Sequence, residues 1–355
     1  MELEEFNKEK YGESDRPPFY IQQQHPWLVM CDGDVRHKQT FFSVSQNQYY
    51  LRRIPELKEK LIRAHADEWL VLQSIYSSEC YLWNLISNDK IQLPPLPECT
   101  ILECLLSAPP NDPECQLLFL IEENETTNDS DDENSNDSDD EYSDDENSNV
   151  NPPTFYFCKP GYHEEFHKQE DGHSIFENGS SGIWTVFKKK LYVSTLQTRR
   201  LLCLEPDNDS GTITITLISN EYPDVRKYLD TTRFVNFILQ SCDDTLLYVH
   251  LFFNGKSHGI PYDFLVFRFD FARKSWIETE SIGEVAIFIS YYSSTGTTCS
   301  TKGTNLKKES IYFIEGRYLY VYNLITHSIS LSLPCPHVSK KNPSTHWLPL
   351  PCQKK

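Results

Sequence analysis

The sequence predicts an all-β chain folded as a β-propeller. The blades are four-stranded and antiparallel, six in number within a range of five to seven, with a disordered acidic loop inserted between strands. Three observations point there. A short phrase is written near both ends of the chain: Leu82-Trp83-Asn84-Leu85-Ile86-Ser87, followed by Ile91 and Leu93-Pro94, and Val321-Tyr322-Asn323-Leu324-Ile325-Thr326, followed by Ile329 and Leu333-Pro334. Each copy reads as a strand, a tight turn and a returning strand, and self-similar hairpins far apart in a chain mark radial repetition. The composition agrees: 20 Tyr, 20 Phe and 6 Trp suit half-buried pleated surfaces, while 21 Pro and 2 Met are unlike a helical bundle. Thirdly, strand-like runs bounded by turn residues follow one another through the 355 residues.

In order, strand-like runs fall at residues 26–30, 40–45 and 48–54. Residues 57–66 admit one or two helical turns, although Pro55 and the next strand at 68–73 leave little room. After the first copy of the repeated phrase come runs at 100–106 and 116–121. Further runs follow at 154–158, 183–187, 190–195, 201–204 and 212–218. Thr212-Ile213-Thr214-Ile215-Thr216 alternates without a break, which predicts one buried face and one wet one. Runs at 234–239, 245–252 and 264–271 lead into a third hairpin phrase, in which Asp270 stands where Asn84 and Asn323 stand in the others. Asn and Asp at a strand exit accept hydrogen bonds from the backbone two residues on, and so start the turn. Runs at 309–314 and 318–324 complete about 20 strands, enough for roughly six blades at about four strands each.

Net charge is −19, and 14 of the acidic residues lie between Glu122 and Glu146 with no Lys or Arg among them; the remainder carries −5. An acidic chain is a poor partner for phosphate backbones, so nucleic acid is excluded as a ligand class. No stretch approaches the roughly 18 to 20 apolar residues of a membrane helix. Eleven cysteines without a Cys-x-x-Cys pair, and an acidic first segment without an apolar run, predict a reducing compartment, cytoplasmic or nuclear. The domain boundaries expected are a disordered tail over 1–24, a propeller over 25–335 containing the acidic insert 122–150, and a C-terminal tail over 336–355.

Several phrases together resemble the plant F-box-associated β-propeller proteins, catalogued as a domain of unknown function and in part described as kelch-like. They are His25-Pro26-Trp27-Leu28-Val29, Thr40-Phe41-Phe42-Ser43-Val44-Ser45, Glu68-Trp69-Leu70-Val71-Leu72, and Trp83-Asn84-Leu85 with Ile91-Gln92-Leu93-Pro94-Pro95-Leu96. Downstream come Phe157-Cys158-Lys159-Pro160-Gly161, the run 187–192, Trp276-Ile277-Glu278 with Ser281-Ile282-Gly283, and Ser310-Ile311-Tyr312-Phe313. The set runs in consistent order from about residue 25 to about 335. The resemblance implies a propeller that recognises a protein partner. In many members it also implies an N-terminal F-box, which docks a Skp1-type adaptor and makes the protein a substrate receptor of a cullin ubiquitin ligase. Here 24 residues precede His25 and show no apolar period of 3.6. The expectation is therefore a non-enzymatic protein-interaction scaffold without a recognisable F-box, binding a Skp1-type adaptor only if an F-box lies upstream.

Two other readings compete. His163-Glu164-Glu165-Phe166-His167 matches the zincin motif in form: on a helix the two imidazoles would share one face to hold zinc, Glu164 would activate water, and His173 falls where a third ligand sits in the longer pattern. Glu170 replaces the glycine of that pattern, Pro160-Gly161 blocks a helix leading in, and the surroundings are charged, so the segment reads as a surface loop and no metal or cofactor is assigned. The second reading concerns the Ser-Asp-Asp-Glu units that begin at Ser130, Ser138 and Ser143. They fit acidophilic, casein-kinase-type kinases, each phosphate adding about −1.5 to −2 charge. They fit a solubilising spacer equally well. The first version gives an F-box-less binding module regulated through its acidic loop. Cys99, Cys104 and Cys115 match no zinc spacing and read as core thiols, as Trp83, Trp276 and Tyr322 read as core aromatics.

Overall fold

The structure, a computed structural model, describes residues 26–32, 37–44, 48–123, 153–169, 182–195, 200–221, 223, 233–253, 259–290, 295–315, 318–334 and 344–348. The predicted tail 1–24, Ser130, Ser138, Ser143 and His173 lie outside the described residues. Among the described residues, twenty-five strands form six sheets. The first sheet takes β1 (Trp27–Asp32), β2 (Lys38–Ser43) and β3 (Gln48–Arg52) from the start of the chain. The second is β4 (Lys60–Ala66), β5 (Trp69–Ser74), β6 (Cys80–Asn84) and β7 (Lys90–Gln92). The third is β8 (Cys99–Leu106), β9 (Leu117–Glu123), β10 (Thr154–Cys158) and β11 (His167–Gln169). The fourth is β12 (Gly182–Phe187), β13 (Lys190–Thr195), β14 (Leu201–Asp207) and β15 (Thr212–Ser219). The fifth is β16 (Arg233–Gln240), β17 (Leu246–Phe253), β18 (Asp263–Asp270) and β19 (Ser275–Thr279). The sixth has five strands: β20 (Val285–Ser290), β21 (Thr295–Ser300), β22 (Ser310–Glu315), β23 (Tyr318–Asn323) and β24 (Ser328–Pro334).

One correction concerns the C-terminus. Residues 336–355 were expected to be a tail, but β25 (Ser344–Leu348) pairs antiparallel with β1 and supplies the inner strand of the first blade. Trp347 is fully buried and donates its indole N–H to the Ile289 carbonyl at 3.0 Å. The Ser290 and Thr345 hydroxyls share a buried hydrogen bond. The two ends of the chain therefore build one blade together and close the ring. The inner strands then neighbour one another in cyclic order, β25, β4, β8, β12, β16, β21 and back to β25.

Packing explains the near-continuous apolar runs. Each blade is buried on both faces, so a period of two sends alternate side chains into two different seams. From β17, Leu247, Val249, Leu251 and Phe253 enter the seam with the sixth blade, whereas Leu246, Tyr248 and Phe252 enter the seam with the fourth. From β9, Leu117, Phe119 and Ile121 face the second blade, and Leu118 and Leu120 face the fourth. There are six seams and six hydrophobic clusters among the described residues.

The repeated phrase has a physical cause. Asn84 Oδ1 accepts the N–H groups of Ile86 and Ser87, both at 2.9 Å; Asn323 accepts those of Ile325 and Thr326 at 3.1 and 2.9 Å; Asp270 those of Ala272 and Arg273 at 2.9 and 3.1 Å. Asp207 does the same for Asp209 at 3.0 Å, a fourth copy not read from the sequence. Four residues after each of these, Asn88, Gly211, Lys274 and His327 take φ of 64°, 68°, 54° and 48°, the left-handed step that returns the chain into the outer strand.

The helical expectation for residues 57–66 is also corrected: a 3-10 turn at Pro55–Leu57 gives way directly to β4. The acidic insert was expected from 122, but Glu122 and Glu123 belong to β9, where Glu123 accepts the Tyr156 hydroxyl at 2.8 Å and pairs with Lys168 at 2.9 Å. The remainder of 122–150 lies outside the described residues, between two paired strands, β9 and β10.

Candidate functional site

A hollow of about 870 Å³ opens on the propeller axis where the inner strands turn back. It is built from the first hairpin turn of four blades. Asp67 comes from the β4–β5 turn, Asp112 from the β8–β9 loop, Lys188 and Lys189 from the β12–β13 turn, and Asp244 from the β16–β17 turn; Thr298 of β21 completes it. The β4–β5 and β12–β13 turns are tight, two residues each, because they join adjacent antiparallel strands. Lys188 and Lys189 form a two-residue connection with φ of 50° and 62°, as the right-handed twist of the flanking strands requires.

Hydrogen bonds stitch this rim from blade to blade. Lys189 Nζ reaches Asp112 at 2.8 Å and Glu114 at 3.1 Å on the third blade. The Lys188 N–H donates to Gln240 Oε1 of the fifth blade at 2.8 Å. The Cys242 N–H donates to Thr298 Oγ1 of the sixth at 2.7 Å. A rim tied through four blades holds its shape before anything binds. The charges are mixed. Asp112 is held below the usual carboxylate range by its hydrogen bond from Lys189 and by the Glu114 N–H. Asp67 is pushed up by desolvation and by Glu68. Lys188 lies over the Phe187 ring, 5.2 Å from its centroid. His65, in the cleft wall, is half-buried at its surface yet enclosed by protein as the side of a shaft is, and desolvation pushes its pKa down to about 4. The Cys242 thiol is pushed up, again by desolvation, so it is not an activated nucleophile. The arrangement offers carboxylates, a cation, an amide and hydroxyls around a hollow, which suits multipoint recognition of a polypeptide segment.

The zincin-like segment is not helical. His163 lies in the connection after β10, Glu164 is exposed, and His167 begins β11 opposite Phe157. The two imidazole rings still meet, with centroids 5.3 Å apart, because the strand entry folds the loop back. His163 lines a separate hollow of about 640 Å³ with Tyr162, Asp207 and Asp209. Among the described residues no three His, Cys, Asp or Glu side chains converge as a metal site. The nine cysteines described are free thiols; Cys104 and Cys115 lie in the seam between the second and third blades, where burial pushes both upward. Trp83 and Tyr322 are core, and Trp276 packs against the seam between the fourth and fifth blades.

The cleft residues carried no local signal, since they are turn and strand residues scattered over five blades. No curated protein matches the chain. Solved structures similar to it include dihydro-heme d1 dehydrogenase NirN in complex with DHE, at 11% identity over 91% of this chain and 66% of that one, TM-score 0.36. A Lactobacillus plantarum protein is 9% identical over 92% of this chain and 100% of its own, TM-score 0.39. Oligogalacturonate lyase of Vibrio parahaemolyticus is 11% identical over 87% and 79%, TM-score 0.38. Likenesses this distant carry no argument about function. The family comparison is of another order: the KIB1-4 beta-propeller profile matches residues 41–323, in agreement with the ordered phrases and the six sheets, and the chain belongs to that family.

Proposed function

We propose that this propeller is a non-enzymatic interaction module that receives a polypeptide segment of a partner protein in its axial cleft, in the manner of a substrate-receptor propeller. The observation that carries the reading is the rim joined from Asp112 through Lys189, Lys188 and Gln240 to Cys242 and Thr298, a preformed polar surface contributed by several blades. Its polar, mixed-charge lining favours a chain segment over a compact small molecule, whose sites are mostly apolar. Free and mostly buried thiols support a reducing compartment, cytoplasm or nucleus.

Affinity purification from the native source tests this. Wild-type protein is expected to enrich a partner that the double variant D67K/K188E loses; equal recovery by both would remove the cleft from the account. Co-purification of a Skp1-type adaptor and a cullin would support the ubiquitin-ligase role, and their absence beside another enriched partner would support an F-box-less module. Phosphorylation at Ser130, Ser138 and Ser143 is proposed as the means of regulation. Intact-mass analysis of native protein is expected to show added phosphate, and its absence would leave the segment a spacer.

A further inference from the structure

β4 runs between two hollows. Its end, at Ala66, reaches the axial cleft; its start opens onto a second pocket of about 590 Å³, beside the connection between β5 and β6. Arg63 lines this pocket. It is the extra residue of a β-bulge, since Ile62 opposes Leu72 and Ala64 opposes Val71. A bulge re-aims a side chain that regular pleating would place elsewhere. The Arg63 Nε–H donates to Gln73 Oε1 at 2.6 Å, and the largely buried Gln73 donates in turn to the Ser77 carbonyl at 3.4 Å. The guanidinium is thus held by one edge. Nη1 and Nη2 make no hydrogen bond or ion pair among the described residues. The neighbouring strand β8 carries its own bulge, between Ile101 and Glu103, and brings the Glu103 carboxylate near enough to act on Arg63 through space, though the two form no ion pair.

A partly buried guanidinium keeps its charge and needs acceptors. The pair of terminal nitrogens matches the two oxygens of one carboxylate. Glu79 and Glu98 also line the pocket and Glu103 stands behind it, so a dianionic phosphate would meet three carboxylates where a single carboxylate meets less repulsion. Tyr76, 70% exposed on the rim, offers apolar area to the flanking residue of an incoming chain.

We propose that this pocket is a second contact for the partner, in which Arg63 receives an aspartate or glutamate side chain. The assignment rests on the reading of the propeller as a protein-interaction module and names part of what the partner presents. It places an acidic residue of the partner at the opposite end of β4 from the cleft.

The probe is the blocked peptide acetyl-Gly-Glu-Gly-amide, titrated into the full chain while the arginine Nε–Hε resonances are followed; the R63K spectrum assigns the Arg63 signal. Expected is a saturable shift of that signal, absent with the Gln analogue and unchanged in K188E. Read by calorimetry on the variants, binding of the Glu peptide should be lost in R63Q, and in R63K, which keeps the charge without the fork, it should weaken by about tenfold. Unchanged thermal unfolding of R63Q and R63K shows that the loss is not misfolding. An Arg63 signal indifferent to the Glu peptide overturns the proposal. So does tighter binding of the phosphoserine analogue. Undiminished binding in R63Q overturns it too, while leaving the interaction-module reading in place.

Discussion

His250 sits in the middle of β17 at 1% exposure, with neither ring nitrogen hydrogen-bonded among the described residues. Its ring stacks on Phe234 at 4.9 Å and lies 4.5 Å from Phe252, so it behaves as an aromatic filler that carries two unsatisfied polar atoms. Burial alone pushes its pKa from 6.5 down to about 4, as it does for His65. Between those values the unfolded chain binds a proton that the folded chain refuses. Stability is therefore complete above about pH 6.5 and falls as pH drops toward 4, where each such histidine has removed about 3 kcal/mol. Glu103 works in the opposite sense. Desolvation raises it from 4.5 to about 7, with Arg63 opposing, so its contribution is present at low pH and is lost as pH rises through 7. His250→Phe is expected to stabilise the fold by about 1 kcal/mol at neutral pH and by more at pH 5. Urea melts at the two pH values measure this, and a destabilised variant at both would show that the imidazole has a partner after all.

Hairpins were the most legible elements, because the carboxamide or carboxylate at each strand exit does the same local work wherever it occurs. Asn84, Asp270 and Asn323 announced themselves; Asp207 did not, since the polar run Asn208-Asp209-Ser210 that follows it reads as ordinary loop. Substituting Asn84, Asp207 or Asn323 by Ala should cost about 1 kcal/mol each, and the costs should add because the turns lie on different blades. Gly211→Ala should cost about 1–2 kcal/mol, since its φ of 68° strains any side chain and the new Cβ would lie 3.0 Å from His167 Nδ1. Shifts in denaturant midpoint check both. The elements missed have physical reasons. In β4 the extra residue Arg63 breaks the period of two, and the remaining apolar spacing imitates a helix. β21, Thr-Gly-Thr-Thr-Cys-Ser, lines the axis and has no large apolar side chain to betray it. β25 is five residues with only two large apolar side chains, Trp347 and Leu348.

At the scale of the molecule, closure joins residues more than 300 positions apart through the register of Trp27 opposite Leu348 and Leu28 opposite Trp347. Trp347 fills the seam between the sixth and first blades with Phe288, Tyr312 and Phe42. Trp347→Ala is expected to cost about 3–5 kcal/mol, and removal of residues 344–355 to expose the inner edge of β1 and drive association, read by size-exclusion chromatography. Blade count followed from repeat spacing, but the cleft did not, because ring closure alone brings Asp67, Asp112, Lys188 and Asp244 to one mouth. The central claim is that this mouth is where a partner protein binds. Amide hydrogen exchange of the propeller, free and bound to the partner most enriched over D67K/K188E, tests it most directly. Slowed exchange at 65–67, 111–112, 188–189 and 240–244 is the expected result. Protection confined to the outer strands, with these turns unchanged, would contradict it.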